Sequence, residues 1–534
     1  MHGECPSVNV GRTRSQAVAT DKGQHMTPDT HTFHTLGLVG SGVMGLGIAQ
    51  IAVLAGLRVR LLDAREGVAA EGVQRLLSTL EGLAAKRKVS AEQLAFARQG
   101  LQPVQTVADL AGCELVVEAI VEDLAAKQAL MRELEAAVAA QAVLATNTSS
   151  LSVTAIAAGL QHPGRVAGFH FFNPVPLMKI VEVIGGVRTE PAVVQALLAL
   201  GRRMGHTAVQ AQDTPGFIVN HAGRGYGTES LRLLAEQVAP LEDIDRVLRD
   251  TAGFRLGPFE LMDLTGLDVS HPVMESIYHQ YYEEPRFRPQ GITRQRLTAG
   301  LLGRKSGQGF YRYADGQPQR SPEPPTGDAR PARVWVSQAD ATGAERAMAL
   351  LHNLGAVLDT GAQPGPDSLC VVTPLGHDVS TLAFQQGLPP QRTVGLCTLF
   401  DTHKRRVLMA SPATAPEALA QARGLLGHDG VPVTVLQDSA GMVAARVVAT
   451  IVNIASEMAQ QGIAQPTDID QAVQLGLGYP FGPLAWGDRL GPARVLQVLD
   501  ELLASTGDMR YRASPWLRRR AQLGMGLTEV SRTA

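Results

Sequence analysis

The stretch HFFNPVPLMKIVEV, residues 170–183, sets one histidine beside two phenylalanines, crosses two prolines and meets its next acid at Glu182. An imidazole is the side chain best matched to moving a proton near neutral pH, provided that a partner fixes its tautomer. Glu182 is flanked by the apolar residues of KIVEV, where a carboxylate is costly to bury unpaired. His170 and Glu182 on neighbouring strands would satisfy each other, while the phenylalanines and prolines hold the ring rigid in a dry pocket. An isolated histidine is more often a core residue bonded to a backbone carbonyl. That reading loses weight here because other groups converge. Ser149, in NTSSL, follows the strand-like AVLAT at the carboxyl edge of a sheet, where open α/β folds bind ligands. Asn220 closes DTPGFIVN, about one turn into a helix, where an amide can meet a substrate or simply be a polar helix position.

A second constellation is built from missing side chains. LGLVGSGVMGLGIAQ places Gly40, Gly42 and Gly45 directly after a strand and at the start of a helix. Glycines there let the turn close and let a pyrophosphate approach free N–H groups at the positive end of the helix. Asp63 ends the following strand, LRVRLLD, where an acid hydrogen-bonds a ribose diol and repels a 2′-phosphate, so NAD is expected over NADP. Arg58, Arg60 and Arg65 stand close enough to soften that preference.

These groups need a scaffold. From Thr35, β-rich runs alternate with helical ones, which implies parallel crossovers and a Rossmann-type doubly wound α/β sheet over residues 35–212. Helical patterning then dominates residues 213–313. Residues 314–333, rich in Pro, Gly and charge, read as an exposed linker, and residues 1–34 as a polar tail within which Met26 is a second candidate start. Over the 534 residues, Lys plus Arg (48) nearly balances Asp plus Glu (50), so no long-range field draws the chain to nucleic acid or anionic lipid. No run approaches a membrane span, and the four widely spaced cysteines form neither a metal-ligand pattern nor a disulfide framework, which fits a reducing cytoplasm.

Beyond the linker the chain repeats itself. A shift of 225 residues aligns Asp213 with Asp438, Gly216 with Gly441, the two DID triplets, and Gly257-Pro258 with Gly482-Pro483. Residues 438–534 are therefore expected to be a second helical domain. A shift of 227 matches Pro163, Arg165 and Gly168 with Pro390, Arg392 and Gly395, marking residues 334–437 as a degenerate remnant of the sheet domain. On these offsets Ser149 aligns with Gly376, His170 with Cys397, Glu182 with Met409 and Asn220 with Ala445, so the second copy is expected to be non-catalytic.

Taken in order, GLVGSGVMG, NTSSL, HFFNPVPLMKIVEV, DTPGFIVN, GPFELMD and GRKSGQGFYRY resemble the 3-hydroxyacyl-CoA dehydrogenase family. The resemblance spans residues 35–313, and the second half looks like the long bacterial members, including the type associated with phenylacetate breakdown. It implies that His170 is the catalytic base, Glu182 its orienting partner, and Ser149 and Asn220 the hydrogen-bonding groups around the reacting carbon. It implies NAD contacts at Glu122, Lys127, Ser149, Asn173 and Lys305, and acyl-CoA contacts near Ser78, Thr79 and the run Lys86 to Lys88. His221 departs from the pattern, standing where the family often has arginine.

The expected activity is NAD-dependent oxidation of the C3 hydroxyl of a short or medium 3-hydroxyacyl-CoA, 3-hydroxyadipyl-CoA included. A non-catalytic nucleotide-binding paralogue is the alternative, and the retention of Ser149, His170, Glu182 and Asn220 argues against it. A β-hydroxy acid dehydrogenase of another type would use a lysine base. The expected partner is an acyl-CoA, with no metal, membrane or nucleic acid expected, in a monomer with an internal pseudo-dimer or a homo-oligomer.

Overall fold

The computed structural model describes residues 32–529, so all but the last residues of the tail lie outside the described residues. Eight strands form the first sheet: β1 Thr35–Val39, β2 Arg58–Leu62, β3 Leu101–Val104, β4 Leu115–Glu118, β5 Val143–Thr146, β6 Val166–Phe171, β7 Ile180–Gly185 and β8 Thr207–Gln212. Their order is β3-β2-β1-β4-β5-β6-β7-β8. Every neighbouring pair is parallel except β6 and β7, which run antiparallel. The Rossmann-type sheet is thus present with one reversal, made by the proline-bearing loop between β6 and β7. β3 and β8 were not anticipated: β3 carries Pro103, and β8 alternates apolar and polar residues along TAVQAQ. Just before the first strand, Phe33 is buried and its carbonyl accepts from Arg203.

A second sheet has the order Leu358–Asp359, Arg333–Val336, Ser368–Val372, Thr393–Leu396, Arg406–Ala410, Val433–Gln437. Its last four strands follow the order and directions of β5 to β8, including the single antiparallel step. On the other side it keeps two parallel strands, Arg333–Val336 and Leu358–Asp359, with the helix Ala341–Asn353 between them but no G-x-G-x-x-G turn after the first. The register also corrects one alignment. Opposite Cys397 lies Val407, whose carbonyl accepts from the Cys397 N–H, and not Met409. Facing partners stand 12 residues apart at His170 and Glu182 but 10 apart at Cys397 and Val407, so the second strand of the pair is offset by two positions.

The helical units repeat for reasons of capping. Asp213 accepts from Ser152 Oγ and the N–H groups of Val153 and Thr154, and Asp438 accepts likewise from Val379 and Ser380. Asp245 accepts from the N–H groups of Phe259 and Glu260, and Asp470 from those of Leu484 and Ala485. A Cβ on Gly257 would come within 2.1 Å of Asp245, and one on Gly482 within 2.3 Å of Asp470, so the repeated glycines make room for the repeated acids. Two units share an interface where the helix Arg224–Ala235 lies along Val443–Gln460. There the buried Glu229 accepts from Arg446 Nε at 2.6 Å, Tyr511 Oη at 2.7 Å and Arg510 at 3.2 Å. The segment between residues 314 and 333 is exposed and strapped down: Arg320 meets Glu260, and Glu323 meets Arg405.

Among the described residues no helix is long and apolar enough to cross a membrane.

Candidate active site

β6 and β7 pair His170 directly with Glu182. Adjacent antiparallel partners share a face of the sheet, so the two side chains meet, with Nδ1 2.6 Å from Glu182 Oε2. Both are buried, at 4% and 0% exposure. The second carboxylate oxygen, Oε1, accepts from the N–H groups of Ile218 at 3.0 Å and Val219 at 2.8 Å. Those donors are aimed by a tight turn in which Gly216 has φ of 79° and Phe217 has φ of 47°. A buried carboxylate with three partners is paired on both oxygens, which is what its apolar flanks require. The ring centroids of Phe172 and Phe217 lie 4.3 Å and 5.8 Å from that of His170. With Nδ1 engaged, Nε2 is the nitrogen left for a substrate.

The NTSSL loop is shaped by one acid. Glu122 Oε1 accepts from Thr148 Oγ1, from the N–H and Oγ of Ser149, and from the N–H and Oγ of Ser150. Burial opposes its charged form, but these bonds and Lys127 outweigh that and hold Glu122 below the usual carboxylate range. Asn220, in the short helix Val219–Ala222, donates from Nδ2 to the Ser149 carbonyl at 3.3 Å. Asn147 Oδ1 accepts from the Phe171 N–H at 2.9 Å, tying the same loop to the histidine strand. Ser149, Asn220, His170 and Glu182 are therefore connected through the NTSSL loop and the turn before Asn220. The backbone of Ile218 and Val219 and the side chain of Asn147 were not anticipated; Asn147 stood within a motif already quoted, whereas backbone donors leave no residue signature.

The glycine turn fits a dinucleotide. Gly40 has φ of 103°, and a Cβ on Gly45 would stand 1.9 Å from the Gly40 carbonyl, so both glycines serve the turn itself. A Cβ on Gly42 would meet nothing within 4 Å, which leaves open space above the start of the helix Val43–Leu54, whose first turn has no side-chain cap. Asp63 is already busy: Oδ2 accepts from the Ser41 N–H and Oγ, and Oδ1 from the Arg65 N–H and Nε. Burial works against its charge, yet the Arg65 and Ser41 bonds hold its carboxyl well below the ordinary range. Arg65 is 73% exposed and is the partner that a ribose hydroxyl can displace at little cost.

The remaining expected contacts fall differently. Lys127 is 1% exposed, with Nζ 2.9 Å from both Glu118 oxygens and 3.4 Å from Glu122. It braces Glu122 from behind rather than presenting a free cation. Asn173 is exposed and precedes a cis bond to Pro174. Lys305 is half-exposed and pairs with Asp268. Thr79 donates to the Arg75 carbonyl on the exposed side of the helix Val68–Ala85, and Lys86 follows that helix in solvent. Among the described residues no hydrogen bond or ion pair joins Asn173, Lys305, Thr79 or Lys86 to the His170 cluster.

This constellation matches known proteins over almost the whole described chain. Residues 35–214 match the model of the 3-hydroxyacyl-CoA dehydrogenase NAD binding domain, and residues 216–313 and 441–531 each match that of the C-terminal domain. The chain belongs to the 3-hydroxyacyl-CoA dehydrogenase family. It is 36% identical over 494 residues to the 3-hydroxyadipyl-CoA dehydrogenase of Escherichia coli K12, covering 92% of this chain and 98% of that one. It is 37% identical over 284 residues to the human mitochondrial hydroxyacyl-coenzyme A dehydrogenase, covering 52% of this chain and 90% of that one. A crystal structure of 3-hydroxybutyryl-CoA dehydrogenase from Escherichia coli K12 superposes with a TM-score of 0.81 at 35% identity, over 92% of this chain and 99% of that one. This 3-hydroxyacyl-CoA dehydrogenase is an oxidoreductase that uses NAD.

The dehydrogenase also explains its histidine at 221. His221 is buried, its Nδ1 is 2.9 Å from Tyr281 Oη, and its ring contacts those of Tyr281 and Phe287. In the second copy the equivalent position is Arg446, which has Glu229 beside it. Among the described residues His221 forms no ion pair, and Arg286 and Arg224 lie near it, so a neutral ring avoids a further buried cation. Burial, with those two arginines adding to it, pushes its pKa down to about 3. The unfolded chain binds a proton below about pH 6.5 that the folded chain refuses, so this group costs stability as pH falls from there towards 3. The slope approaches roughly 1.4 kcal/mol per pH unit within that window. Thermal melting between pH 7 and pH 5 is expected to show the loss, and His221→Gln to flatten it; an unchanged slope would assign the loss elsewhere.

Proposed function

We propose that this dehydrogenase oxidises the C3 hydroxyl of short to medium 3-hydroxyacyl-CoA thioesters, with His170 as the base. The observation that carries the assignment is the 2.6 Å contact between Nδ1 and Glu182, which leaves Nε2 as the free nitrogen. Nε2 takes the hydroxyl proton, and the cation so formed is stabilised by the Glu182 carboxylate, itself anchored on the Ile218 and Val219 N–H groups. Bound NAD supplies the hydride acceptor. Ser149 and Asn220 orient the substrate oxygen, and Gly40, Gly42, Gly45 and Asp63 hold the dinucleotide, with Glu122 shaping the loop beside it. In the reverse direction the protonated imidazole returns its proton to the 3-oxo oxygen.

Within this class, 3-hydroxyadipyl-CoA is the substrate we favour, as in the name of the relative similar over 92% of the chain, and we place the reaction in phenylacetate breakdown in the cytoplasm. The second helical unit would then take the place of a partner subunit within one chain, through the Glu229, Arg446 and Arg510 cluster. The test is NADH consumption with a panel of 3-oxoacyl-CoA thioesters of increasing length, with and without a terminal carboxylate. Turnover across the short members is expected; no turnover on any of them defeats the assignment.

A further inference from the structure

Arg224 stands out among the arginines around the two helical units. Arg446, Arg510 and Arg405 each meet carboxylates. Arg224 is half-buried and, among the described residues, forms no ion pair. Its hydrogen bond runs from Nε to the Asn220 carbonyl at 2.9 Å. Helical side chains lean towards the N-terminus of their helix, and this bond draws the guanidinium back over the turn that bears Asn220. A partly desolvated cation without an anion carries a cost that a ligand anion would relieve.

A second group points to the same place. Tyr479, from the second helical unit, is 6% exposed and its hydroxyl is buried without a hydrogen-bond partner. Its ring is held by Phe254 at 5.0 Å and Tyr226 at 5.8 Å. Burial raises the Tyr479 phenol and lowers the Arg224 guanidinium, and each is the charged neighbour that partly offsets the other's shift. The duplicated helix Val443–Gln460 carries Ala449 where the first copy carries Arg224. The cation is thus confined to the copy that has His170 and Asn220.

We propose that Arg224, helped by the Tyr479 hydroxyl, binds a carboxylate at the far end of the acyl chain, making this enzyme selective for dicarboxylic 3-hydroxyacyl-CoA thioesters. The proposal rests on the assignment of Asn220 and His170 to the reacting carbon. The guanidinium, held at the Asn220 carbonyl, lies beside the turn that bears Asn220, within reach of the far end of a six-carbon chain whose C3 is held there. The planar fork of arginine matches a carboxylate with two parallel bonds, and a phenol adds a donor. The second helical unit would then supply part of the substrate site.

The experiment compares kcat/KM for 3-hydroxyadipyl-CoA and 3-hydroxyhexanoyl-CoA, which have six-carbon chains and differ in the terminal group. The wild type is expected to favour the dicarboxylate, and Arg224→Gln to shrink that ratio about 10- to 100-fold, mainly through KM. Arg224→Lys should retain part of the ratio, and Tyr479→Phe should lose a smaller part. A wild-type ratio near one, or a ratio unmoved in Arg224→Gln, overturns the anchor while leaving the dehydrogenase assignment intact. Equal losses on both thioesters would overturn it too, because they would mark a contact to the CoA phosphates or a folding defect. Absence of turnover with both thioesters in the wild type defeats the underlying substrate assignment and the anchor together.

Discussion

Replacing His170 with glutamine is expected to lower kcat by about 10³-fold, the scale of a lost general base, with NAD affinity within about twofold of wild type. Glutamine is the informative choice because its amide can still donate to Glu182 Oε2, so the carboxylate keeps a partner and the strand pairing of β6 and β7 survives. Alanine would leave a buried charge half-satisfied and confuse stability with chemistry. Stopped-flow turnover separates the chemical step from binding, and NAD titration by fluorescence reports the glycine turn, which lies on other strands. A kcat unchanged in His170→Gln would remove the imidazole from the reaction and leave Nε2 with no role.

Why these particular groups were legible in the sequence follows from what kind of atom each uses. Gly40, Gly42 and Gly45 act by lacking side chains, and a spacing of glycines after a strand survives as a pattern. His170 and Glu182 act through side chains whose types are rare in apolar strands, so their burial and pairing could be inferred, although the antiparallel step that delivers them could not. That step depends on a loop crossing Pro174 and Pro176, and nothing in the apolar run IVEVIG distinguishes the two strand directions. The donors at Ile218 and Val219 are backbone atoms, identical in every residue but proline, and are visible only once Gly216 and Phe217 adopt positive φ. The acyl-CoA contacts expected at Thr79 and Lys86 came from the family resemblance alone, and both side chains stand in solvent on or beyond the helix Val68–Ala85. The repeat was readable as capping acids and the glycines beneath them, whereas the alignment of Glu182 with Met409 missed by two positions, because strand register can shift without altering the motifs on either side.

Exchanging Glu182 for glutamine should be nearly as damaging as losing the histidine, and for a reason that can be read separately. Oε1 of Glu182 accepts from two N–H groups, so a glutamine must turn its carbonyl oxygen towards Ile218 and Val219. Its NH2 group then faces Nδ1 of His170, which can answer only as an acceptor. The neutral ring is driven to carry its proton on Nε2, the nitrogen that must be empty to take a proton from the substrate hydroxyl. A fall in kcat of about 10²- to 10⁴-fold is expected, with KM changing far less. Nitrogen-15 shifts of the imidazole should report the proton on Nδ1 in the wild type and on Nε2 in Glu182→Gln, a difference that a merely structural role would not produce. Glu182→Asp keeps the charge but shortens the reach, so it should preserve the wild-type tautomer with a smaller loss of rate. Equal activity in wild type and Glu182→Gln, or the same tautomer in both, would show that the carboxylate does not govern the ring and that the proton path runs through another group.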